Sequence, residues 1–273
     1  MKRFKTGLSL LLKGDFALLL EEVLCRVLYQ RYYDFLFIFN KKNKSKLINY
    51  NLKIETEYRI ALDSPDHLAP CGTKQDNNTN RSFIFLINKL LCHEFPNIQL
   101  KFLDLGCAGG QLVRDFRDLG YISVGLEGSD YSLKHRRANW PLLAGKNLFT
   151  CDITKPFEIE SEDKKIKFNL ITAWEVLEHI RREDLDNVFK NIINHLEEGG
   201  YLIASTSSSS VISDGLELHQ TRMTNEEWRK YIQEKYRELT PVDLGLRYYQ
   251  YVRHTIHGEN SFLVYKKINK PRF

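Results

Sequence analysis

The feature that most constrains the fold is a short apolar run that ends in a turn of small residues. It reads Phe102-Leu103-Asp104-Leu105-Gly106-Cys107-Ala108-Gly109-Gly110, and an amphipathic segment follows directly. An apolar run of this length predicts a buried strand, and small residues at its end let the backbone approach a ligand closely. A helix that begins here presents unpaired N–H groups. The sequence therefore predicts a strand–turn–helix unit that forms part of a binding site.

From residue 99 onward, apolar runs alternate with amphipathic segments. The predicted strands are 99–105, 122–127, 147–151, 168–174, 201–206 and 262–267, and the predicted helices are 111–119, 131–139, 183–196 and 225–236. A further helix, 82–93, is predicted before this pattern begins. Run 168–174 is apolar almost throughout, as expected of a strand that is buried on both faces. Alternation with short connections predicts the α/β class, with a doubly wound, mostly parallel sheet covered by helices on both faces.

Composition and charge limit the partners of the chain. Its 273 residues are 42% hydrophobic and 27% charged, which is typical of a soluble protein of one or two domains. The net charge is +5, and residues 1–50 alone carry +6, so the remainder is close to neutral. A near-neutral body argues against a broad nucleic-acid-binding face, and we expect no nucleic-acid partner.

The basic excess belongs to an N-terminal extension. Lys13 and Asp15 interrupt its apolar run, which is too short and too charged to span a bilayer and is followed by no signal-peptide cleavage site. Residues 8–39 are predicted to form one or two amphipathic helices, and residues 41–46 a linker. The helices are expected either to lie on an acidic membrane surface or to pack on the body or a partner chain.

These features predict two parts, a helical extension and linker over residues 1–60 and a main domain over residues 61–273. Peripheral membrane contact is assigned to residues 1–46. The expected location is the cytoplasm, with association at the inner face of the membrane. The sequence gives no prediction of the oligomeric state.

The five cysteines are widely scattered and form no Cys-x-x-Cys pair or cluster at zinc spacing. They are predicted to be free or buried thiols in a reducing cytosol, and no metal site is predicted. The sequence also lacks the Gly-x-Ser-x-Gly elbow of hydrolases, a phosphate-binding P-loop and a His-Glu-x-x-His motif.

An acidic residue, Glu127, ends the second predicted strand, 17 positions after Gly110. A carboxylate in this position can accept two hydrogen bonds from a ribose diol. The dinucleotide fingerprint Gly-x-Gly-x-x-Gly is nevertheless absent, because Asp104 occupies the place of its first glycine. An acid is unsuited to a pyrophosphate at that turn, but it suits a cofactor with a cationic amino-acid end.

Together these residues resemble motif I of the class I S-adenosylmethionine (SAM)-dependent methyltransferases. Four later segments resemble that family in the same order, at residues 125–129, 151–153, 168–180 and 196–203. The resemblance covers about residues 82–206 and implies a Rossmann-like domain with a seven-stranded sheet, with SAM as cofactor. The one departure is Ala108, where many members have glycine, and we expect it to cost little because alanine is small.

Carried over residue by residue, the resemblance implies a cofactor site. Asp104, Gly106 and Gly110 would flank the methionine end, Glu127 would hold the ribose, and Asp152 with Ile153 would hold the adenine. The predicted cofactor-binding residues are Asp104, Gly106, Cys107, Ala108, Gly110, Glu127, Gly128, Asp152, Ile153, Trp174 and Glu175. As alternatives to cofactor binding, the glycines could serve only to form the turn, and Asp152 could cap the helix that follows.

Histidine is the most frequent general base, and transfer to a hydroxyl usually needs its proton removed. Of the candidates His67, His179 and His219, two are predicted to be catalytic. His179 follows the fourth strand, close to where the methyl group should lie, and His219 lies in the long loop after the fifth strand. The alternatives are a pocket-shaping residue for His179 and a surface residue for His219.

The segment 63–82 is rich in Pro, Asp, Asn, Gly and Thr, which predicts a loop. Residues 66–77 are expected either to cover the cofactor as a lid or to be a solvated connector. They also resemble a segment of bacterial methyltransferases associated with surface-polysaccharide genes.

The predicted function is SAM-dependent methylation of a hydroxyl on a small molecule or glycan. One alternative is a non-catalytic SAM-fold subunit that binds a partner through the N-terminal helices. Another is a methyltransferase that acts on nucleic acid or protein. The sequence after the fourth strand, Ala173-Trp174-Glu175-Val176, lacks the Pro-Pro-aromatic turn with which DNA amino-methyltransferases hold a flipped base.

Overall fold

The computed structural model describes residues 30–43, 50–253 and 260–268. The predictions for residues 8–29 and 44–46 lie outside the described residues. In chain order the strands are β1 (Leu52–Glu55), β2 (Lys101–Leu105), β3 (Ile122–Glu127), β4 (Leu148–Thr150), β5 (Glu158–Ser161), β6 (Lys164–Lys165), β7 (Phe168–Trp174), β8 (Leu196–Ser207), β9 (Ile212–Ser213), β10 (Leu216–Glu217), β11 (Leu239–Pro241) and β12 (Asn260–Lys267).

The helices are α1 (Gln30–Asn43), α2 (Pro65–Leu68), α3 (Cys71–Gln75), α4 (Arg81–Glu94), α5 (Gln111–Asp118), α6 (Tyr131–Lys134), α7 (Trp140–Leu143), α8 (Leu185–His195) and α9 (Asn225–Lys235). Two 3₁₀ turns, Leu177–His179 and Tyr248–Gln250, also occur in the described chain. No helix of the described residues has both the length and the apolar character needed to cross a membrane.

Seven strands form the central sheet, in the order β11-β12-β8-β7-β2-β3-β4. From β4 to β8 neighbouring strands are parallel, while β12 pairs antiparallel with both β8 and β11. The chain runs outward from β2 to β4 and then continues on the other side of β2 with β7. This reversal opens a crevice at the carboxyl ends of β2 and β7. The predicted α/β class and mostly parallel seven-stranded sheet are confirmed.

Helices cover both faces of the sheet. On one face α4 and α5 bury Phe83, Ile87 and Phe116, and on the other α8 and α9 bury Phe189 and Trp228. Both core clusters also include side chains from the sheet. Because the strands are sealed on both sides, ligands have access to them mainly at their ends.

Helix α5 begins where the glycine-rich turn predicts it. Gly110 is the N-cap and has φ of +77°, a left-handed conformation that favours glycine. A Cβ atom at Gly110 would lie 2.5 Å from Cδ1 of Leu148. This close contact packs the start of α5 against β4, and both observations require glycine at this position.

Helix α1 packs on the body through one face. Tyr33 and Phe37 are buried, and the Tyr33 ring centroid lies 5.4 Å from that of Phe85 in α4. Nη1 of Arg81 lies 2.6 Å from Oδ1 of Asp34. The described part of the predicted N-terminal helices therefore packs on the body. The helix also continues through residues 41–43, which were predicted to belong to the linker.

Strand β1 precedes the predicted boundary at residue 60. It pairs antiparallel with β5, which also pairs with β6, in a small second sheet. Leu52 of β1 belongs to the core cluster on one face of the domain. The division into residues 1–60 and 61–273 stays a prediction.

Two predicted segments differ from the structure. Residues 131–139 do not form one helix, since α6 ends at Lys134 and α7 begins at Trp140. Pro141 does not terminate a helix but lies in the first turn of α7, where a missing N–H costs nothing. The predicted loop 63–82 contains the short helices α2 and α3 and the first residues of α4.

Candidate active site

A cavity of about 420 Å³ lies at the carboxyl edge of the central sheet. Its wall on the sheet side includes residues that follow β2, β3 and β7. The opposite wall is a segment that we call the strap, residues 61–77, which contains α2 and α3. Strap residues in the cavity wall are Ala61, Leu62, Asp63, Ser64, Pro65, Asp66, Gly72, Thr73 and Asp76.

Most of the predicted site residues meet at this cavity. Those in its wall are Gly106, Ala108, Glu127, Gly128, Asp152, Ile153, Trp174, Glu175 and His179. Asp104, Cys107, Gly110 and His219 are not in the wall. Asp104, Cys107 and His219 are buried, and the roles predicted for these four residues stay predictions.

Glu127 ends β3 and is the most tightly held acid of the wall. Its Oε2 accepts the N–H of Ala108 over 2.7 Å, and its Oε1 accepts the N–H of Ser129 over 3.2 Å. Burial raises the pKa of Glu127 to about 6, against the hydrogen bonds that favour its ionised form, including one from Thr73 of the strap. The side chain is therefore fixed in orientation by the turns after β2 and β3.

Asp104 lies inside the sheet rather than in the cavity wall. Its Oδ1 accepts the hydroxyl of Thr172 over 2.6 Å. Burial raises the pKa of Asp104 to about 7, and the nearby charge of Glu127 adds to this effect. Asp104 therefore sits one layer behind the predicted methionine position.

The turn after β2 brings backbone atoms to the cavity. Gly106 has φ of +67°, and a Cβ atom there would lie 2.4 Å from Cγ2 of Val176. Cys107 is buried in the core, and its N–H donates to the carbonyl of Leu126 over 3.0 Å. Burial raises the pKa of the Cys107 thiol well above its ordinary value.

Ala108 has φ of +43°, in the left-handed region. Its carbonyl accepts the indole N–H of Trp140 over 2.7 Å. Together with the N–H bond to Glu127, this holds the backbone on both sides of the residue. Alanine is therefore accommodated at a conformation in which glycine is favoured.

Asp152 stabilises a turn next to the cavity. Its Oδ1 accepts the N–H of Thr154 over 2.9 Å and the hydroxyl of Thr154 over 2.7 Å. Its own N–H donates to the carbonyl of Tyr58 over 2.9 Å. The second oxygen, Oδ2, has no hydrogen bond among those described, so a carboxylate oxygen remains available in the wall formed with Ile153.

The strap is fastened at both ends. The N–H of Ala61 donates to the carbonyl of Gly128 over 2.9 Å. At the other end, Asp76 forms an ion pair with Arg253, and Nε of Arg137 donates to the carbonyl of Lys74 over 2.7 Å. Of the two expectations for residues 66–77, the structure has the one in which they cover the cavity.

A cluster of titratable side chains follows β7. Nδ1 of His179 lies 2.7 Å from Oδ2 of Asp66 in the strap, and the His179 and His219 ring centroids are 4.7 Å apart. Burial lowers the pKa of His179, but Asp66, Glu178 and Glu175 outweigh it and the pKa lies above its ordinary value. Burial, with the neighbouring His179, lowers the pKa of His219.

The two glutamates of the cluster are held by strand β8. Oε1 of Glu175 accepts the hydroxyl of Ser205 over 2.8 Å, and Oε1 of Glu178 accepts the N–H of Ser207 over 2.9 Å. Burial raises the pKa of both acids, that of Glu178 to about 8.

His219 is buried beside His179, on the side away from the cavity. Its Nδ1 lies 2.6 Å from the carbonyl oxygen of Ser209. The alternative of a surface position for His219 is therefore wrong, and its catalytic role stays a prediction. Within the described chain, Glu178, His179 and His219 form the one group of three metal-ligating side chains whose ligand atoms lie within 4.8 Å of one another.

Acids dominate the charged side chains of the cavity wall. They are Asp63, Asp66, Asp76, Glu127, Asp152, Glu175 and Asp184, against the cations Lys155, Arg181 and Arg253. This distribution favours a ligand with positive charge. A sulfonium and an ammonium group give SAM such a charge, so the residues present fit the predicted cofactor.

Sequence reasoning missed Asp66, Thr73, Asp76 and Arg253 as residues of the site. The composition of residues 63–82 signalled an irregular segment, and the lid interpretation included three of these residues without giving any of them a role. Arg253 carried no signal, because it lies 177 positions after Asp76 and only the tertiary fold brings the two together.

The family model for a methyltransferase domain matches residues 40–246. The chain belongs to this family. The match confirms the predicted family and enzyme class, a methyltransferase, and with them SAM as the cofactor.

Curated relatives match part of the chain. The ubiquinone biosynthesis O-methyltransferase of Pelagibacter ubique is 28% identical over 125 residues, which are 46% of this chain and 49% of that protein. The enzyme of the same name from Glaesserella parasuis is 31% identical over 110 residues, 39% of this chain and 44% of that protein. The chain thus spans about half the length of the curated relatives it matches.

Solved structures of methyltransferases are also similar. An S-adenosylmethionine-dependent methyltransferase from Clostridium acetobutylicum has a TM-score of 0.47 at 16% identity, covering 71% of this chain and 94% of that one. A 1,6-didemethyltoxoflavin-N1-methyltransferase from Burkholderia thailandensis has a TM-score of 0.48 at 16% identity, covering 69% and 79%.

Proposed function

We propose that the protein transfers the methyl group of SAM to a hydroxyl group of a small molecule or glycan, with His179 as the general base. The observation that carries this proposal is the position of His179 in the wall of the same cavity as Glu127. The wall then contains both a carboxylate suited to a ribose and a base suited to an acceptor.

The cofactor would be held by groups already oriented in the wall. Glu127 has two oxygens fixed by backbone N–H donors, and each oxygen keeps a lone pair for a ribose hydroxyl. Asp152 and Ile153 would contact the adenine. The turn at Gly106 and Ala108 would lie against the methionine end, with Trp174 and Glu175 nearby.

When bound, SAM supplies an electrophilic methyl group on a sulfonium. His179 accepts the proton of the acceptor hydroxyl, which increases the nucleophilicity of the oxygen. The strap limits the access of water to the cavity, and the wall orients the acceptor for in-line attack. Charge is neutralised during such a transfer, so orientation contributes more than electrostatic stabilisation.

A hydroxyl acceptor is favoured by two observations. The curated relatives are named as O-methyltransferases, and a histidine base is needed for a hydroxyl more than for a neutral amine or a thiolate. Residues of the cavity wall include the exposed side chains Tyr58 and Leu62, which would suit an acceptor with apolar surface. The association with surface polysaccharides stays a prediction and would make the acceptor a glycan.

The test is a methyl-transfer assay with isotopically labelled SAM and matched acceptors that differ in one atom, catechol, 2-aminophenol and 2-mercaptophenol, together with a glycan library. We expect transfer to a hydroxyl, and a loss of about 100-fold or more in His179→Gln. The control His93→Gln, at the exposed end of α4, should keep the wild-type rate.

If SAM binds but no acceptor of any class is methylated, the alternative of a non-catalytic binding subunit gains support. Transfer to nucleic acid or protein alone would favour the other alternative. Transfer to a hydroxyl at an unchanged rate in His179→Gln would remove His179 from the mechanism.

Membrane contact through the N-terminal extension is also proposed, and with it a cytoplasmic location at the inner membrane face. Its support is the second face of α1, on which Tyr32, Phe35, Ile38 and Phe39 are each at least half exposed. These side chains recur at helical spacing opposite the face that packs on the body. Basic residues dominate the same part of the sequence, which suits an anionic surface.

A further inference from the structure

We propose that Asp66 of the strap is the positioning residue that holds His179 in the orientation and tautomer required of a general base. This inference rests on the proposed function of His179. It adds a residue from the strap, which precedes the cofactor motifs of residues 102–206 in the chain, to the machinery of the reaction.

The contact between the two side chains is short and shielded from solvent. Nδ1 of His179 lies 2.7 Å from Oδ2 of Asp66, and the two side chains are 16% and 22% exposed. A carboxylate at Nδ1 favours the tautomer with its proton on that nitrogen. Nε2 then keeps its lone pair and can accept a proton from an acceptor hydroxyl.

Local structure fixes the position of Asp66. Ser64 caps α2 and accepts the N–H of Asp66 over 3.3 Å, and Pro65 occupies the first turn of the helix. Proline in this place is preorganised for a helical backbone. The start of the strap is joined to the end of β3 by the hydrogen bond between Ala61 and Gly128, so Asp66 does not depend on a free loop for its placement.

His179 is restrained from the opposite direction. Its N–H donates to the carbonyl of Val176 over 3.0 Å within the 3₁₀ turn after β7. The ring of His219 meets its ring edge-on at 74°, and His219 is itself held by Ser209. Asp66 on the strap and His219 on the body therefore enclose the imidazole of His179.

The other acids near His179 are engaged elsewhere. Glu175 bonds to Ser205, and Glu178 bonds to the backbone of Ser207. Asp66 is the carboxylate in contact with the ring, which makes it the partner that can select the tautomer.

The arrangement also links two halves of the site. Thr73 of the strap hydrogen bonds to Glu127, while Asp66, seven residues earlier, contacts His179. When Thr73 of the strap contacts Glu127, Asp66 of the same strap therefore contacts His179.

Kinetics of three variants test the role of Asp66. We expect Asp66→Asn and Asp66→Ala to lower kcat for the best hydroxyl acceptor about 10- to 100-fold, while KM for SAM changes less than about threefold. Asp66→Glu should recover part of the rate, because it restores a carboxylate. Glu57→Gln, an exposed acid outside the cavity wall, is the charge-matched control and should behave as the wild type.

A structural role of the strap would give a different pattern. Loss of SAM binding in parallel with kcat in the Asn, Ala and Glu variants would overturn the proposal, and so would a wild-type kcat in Asp66→Asn. Calorimetric titration with S-adenosylhomocysteine separates these results from the rate measurements.

Nitrogen-15 NMR of histidine-labelled protein supplies a readout that needs no turnover. At about pH 9, where a histidine is neutral, the His179 signals, assigned by their loss in His179→Gln, should show the Nδ1–H tautomer in the wild type. We expect that preference to be reduced in Asp66→Asn and kept in Glu57→Gln. An unchanged tautomer in Asp66→Asn would overturn the proposal even if no acceptor were ever found, whereas failure of methyl transfer with the expected NMR change would count against the proposed function alone.

Discussion

The N–H of Ala108 donates to Oε2 of Glu127 over 2.7 Å, which joins the turn after β2 to the end of β3. Two adjacent parallel strands thus share one buried hydrogen bond at the edge where the cavity lies. The bond fixes the carboxylate and holds Ala108 at its positive φ of +43°. The proposed ribose contact and the left-handed backbone therefore lie in the same pair of residues.

The first prediction concerns Glu127. Glu127→Gln replaces one acceptor oxygen by an NH₂ group, which cannot accept from a ribose hydroxyl. We expect S-adenosylhomocysteine to bind about tenfold more weakly, equivalent to about 1.4 kcal/mol, in isothermal titration calorimetry. Glu234→Gln on the exposed side of α9 is the control, and an unchanged isotherm for Glu127→Gln would contradict the ribose assignment.

The second prediction concerns the strain at Ala108. A left-handed backbone conformation costs a non-glycine residue roughly 1–2 kcal/mol. Replacing Ala108 by glycine removes this cost, but part of the gain is lost because glycine increases the entropy of the unfolded chain. Ala108→Gly should therefore raise the free energy of unfolding by up to about 1 kcal/mol, measured by urea denaturation. Ala204→Gly in β8 lacks this strain and should lower it. Equal losses in both variants would refute the account of Ala108.

The third prediction is a pH dependence of the ligand-free protein. The folded pKa of Asp104, about 7, lies above the ordinary value because of burial, so the folded state binds its proton more tightly than the unfolded state does. Stability from this group is greatest below about pH 4 and falls as the pH rises toward 7. Between pH 5 and pH 8 the loss should be roughly 2 kcal/mol.

Asp104→Asn isolates that contribution. Asparagine can still accept the hydroxyl of Thr172, but it does not titrate in this range. Urea titrations at several pH values should show a flatter profile for the variant than for the wild type. Parallel profiles would mean that Asp104 is ionised in the folded protein throughout the range.

The sequence predicts the part of the site that local pattern determines. The apolar runs of β2, β3 and β7 and the small residues after β2 locate Gly106, Ala108 and Glu127 at one edge of the sheet. The periodicity of the sequence does not determine the order of the strands in the sheet. The prediction of seven strands came from the resemblance to the methyltransferase family.

What the sequence did not predict depends on contacts between distant residues. Asp66 meets His179 across 113 positions of the chain, and the helices of the strap are too short to show periodicity. Alternation of side chains along β2 also did not reveal that Asp104 points to Thr172 of β7. Such contacts form only when the sheet order and the path of the strap are both known.

The fourth prediction separates the two catalytic candidates. His179 lies in the cavity wall, whereas His219 lies behind it. We expect His179→Gln to lose about 100-fold or more in kcat, and His219→Gln to lose less than about tenfold, because it removes only a packing partner of the base. Single-turnover rates with a hydroxyl acceptor measure both. A greater loss of kcat in His219→Gln than in His179→Gln would indicate that His219, and not His179, is the general base.

The last prediction concerns the outward face of α1. Deleting residues 1–46 would also remove the buried Tyr33 and Phe37, so surface substitutions are the better test. The double variant Phe35→Ser and Phe39→Ser alters two side chains that are 59% and 60% exposed, and folding should be preserved. Burial of these rings in lipid contributes part of the expected binding energy. We expect the wild type to sediment with anionic vesicles and the double variant to lose most of that binding.

The charge of the vesicle provides the control. Attraction of a basic segment to an anionic surface weakens with salt and is absent for zwitterionic lipid. Sedimentation with phosphatidylserine-containing vesicles but not with phosphatidylcholine alone would support contact through both the aromatic face and the basic residues. A wild-type protein that stays in the supernatant with both kinds of vesicle would contradict membrane contact, and the aromatic face of α1 would then have to be covered by protein.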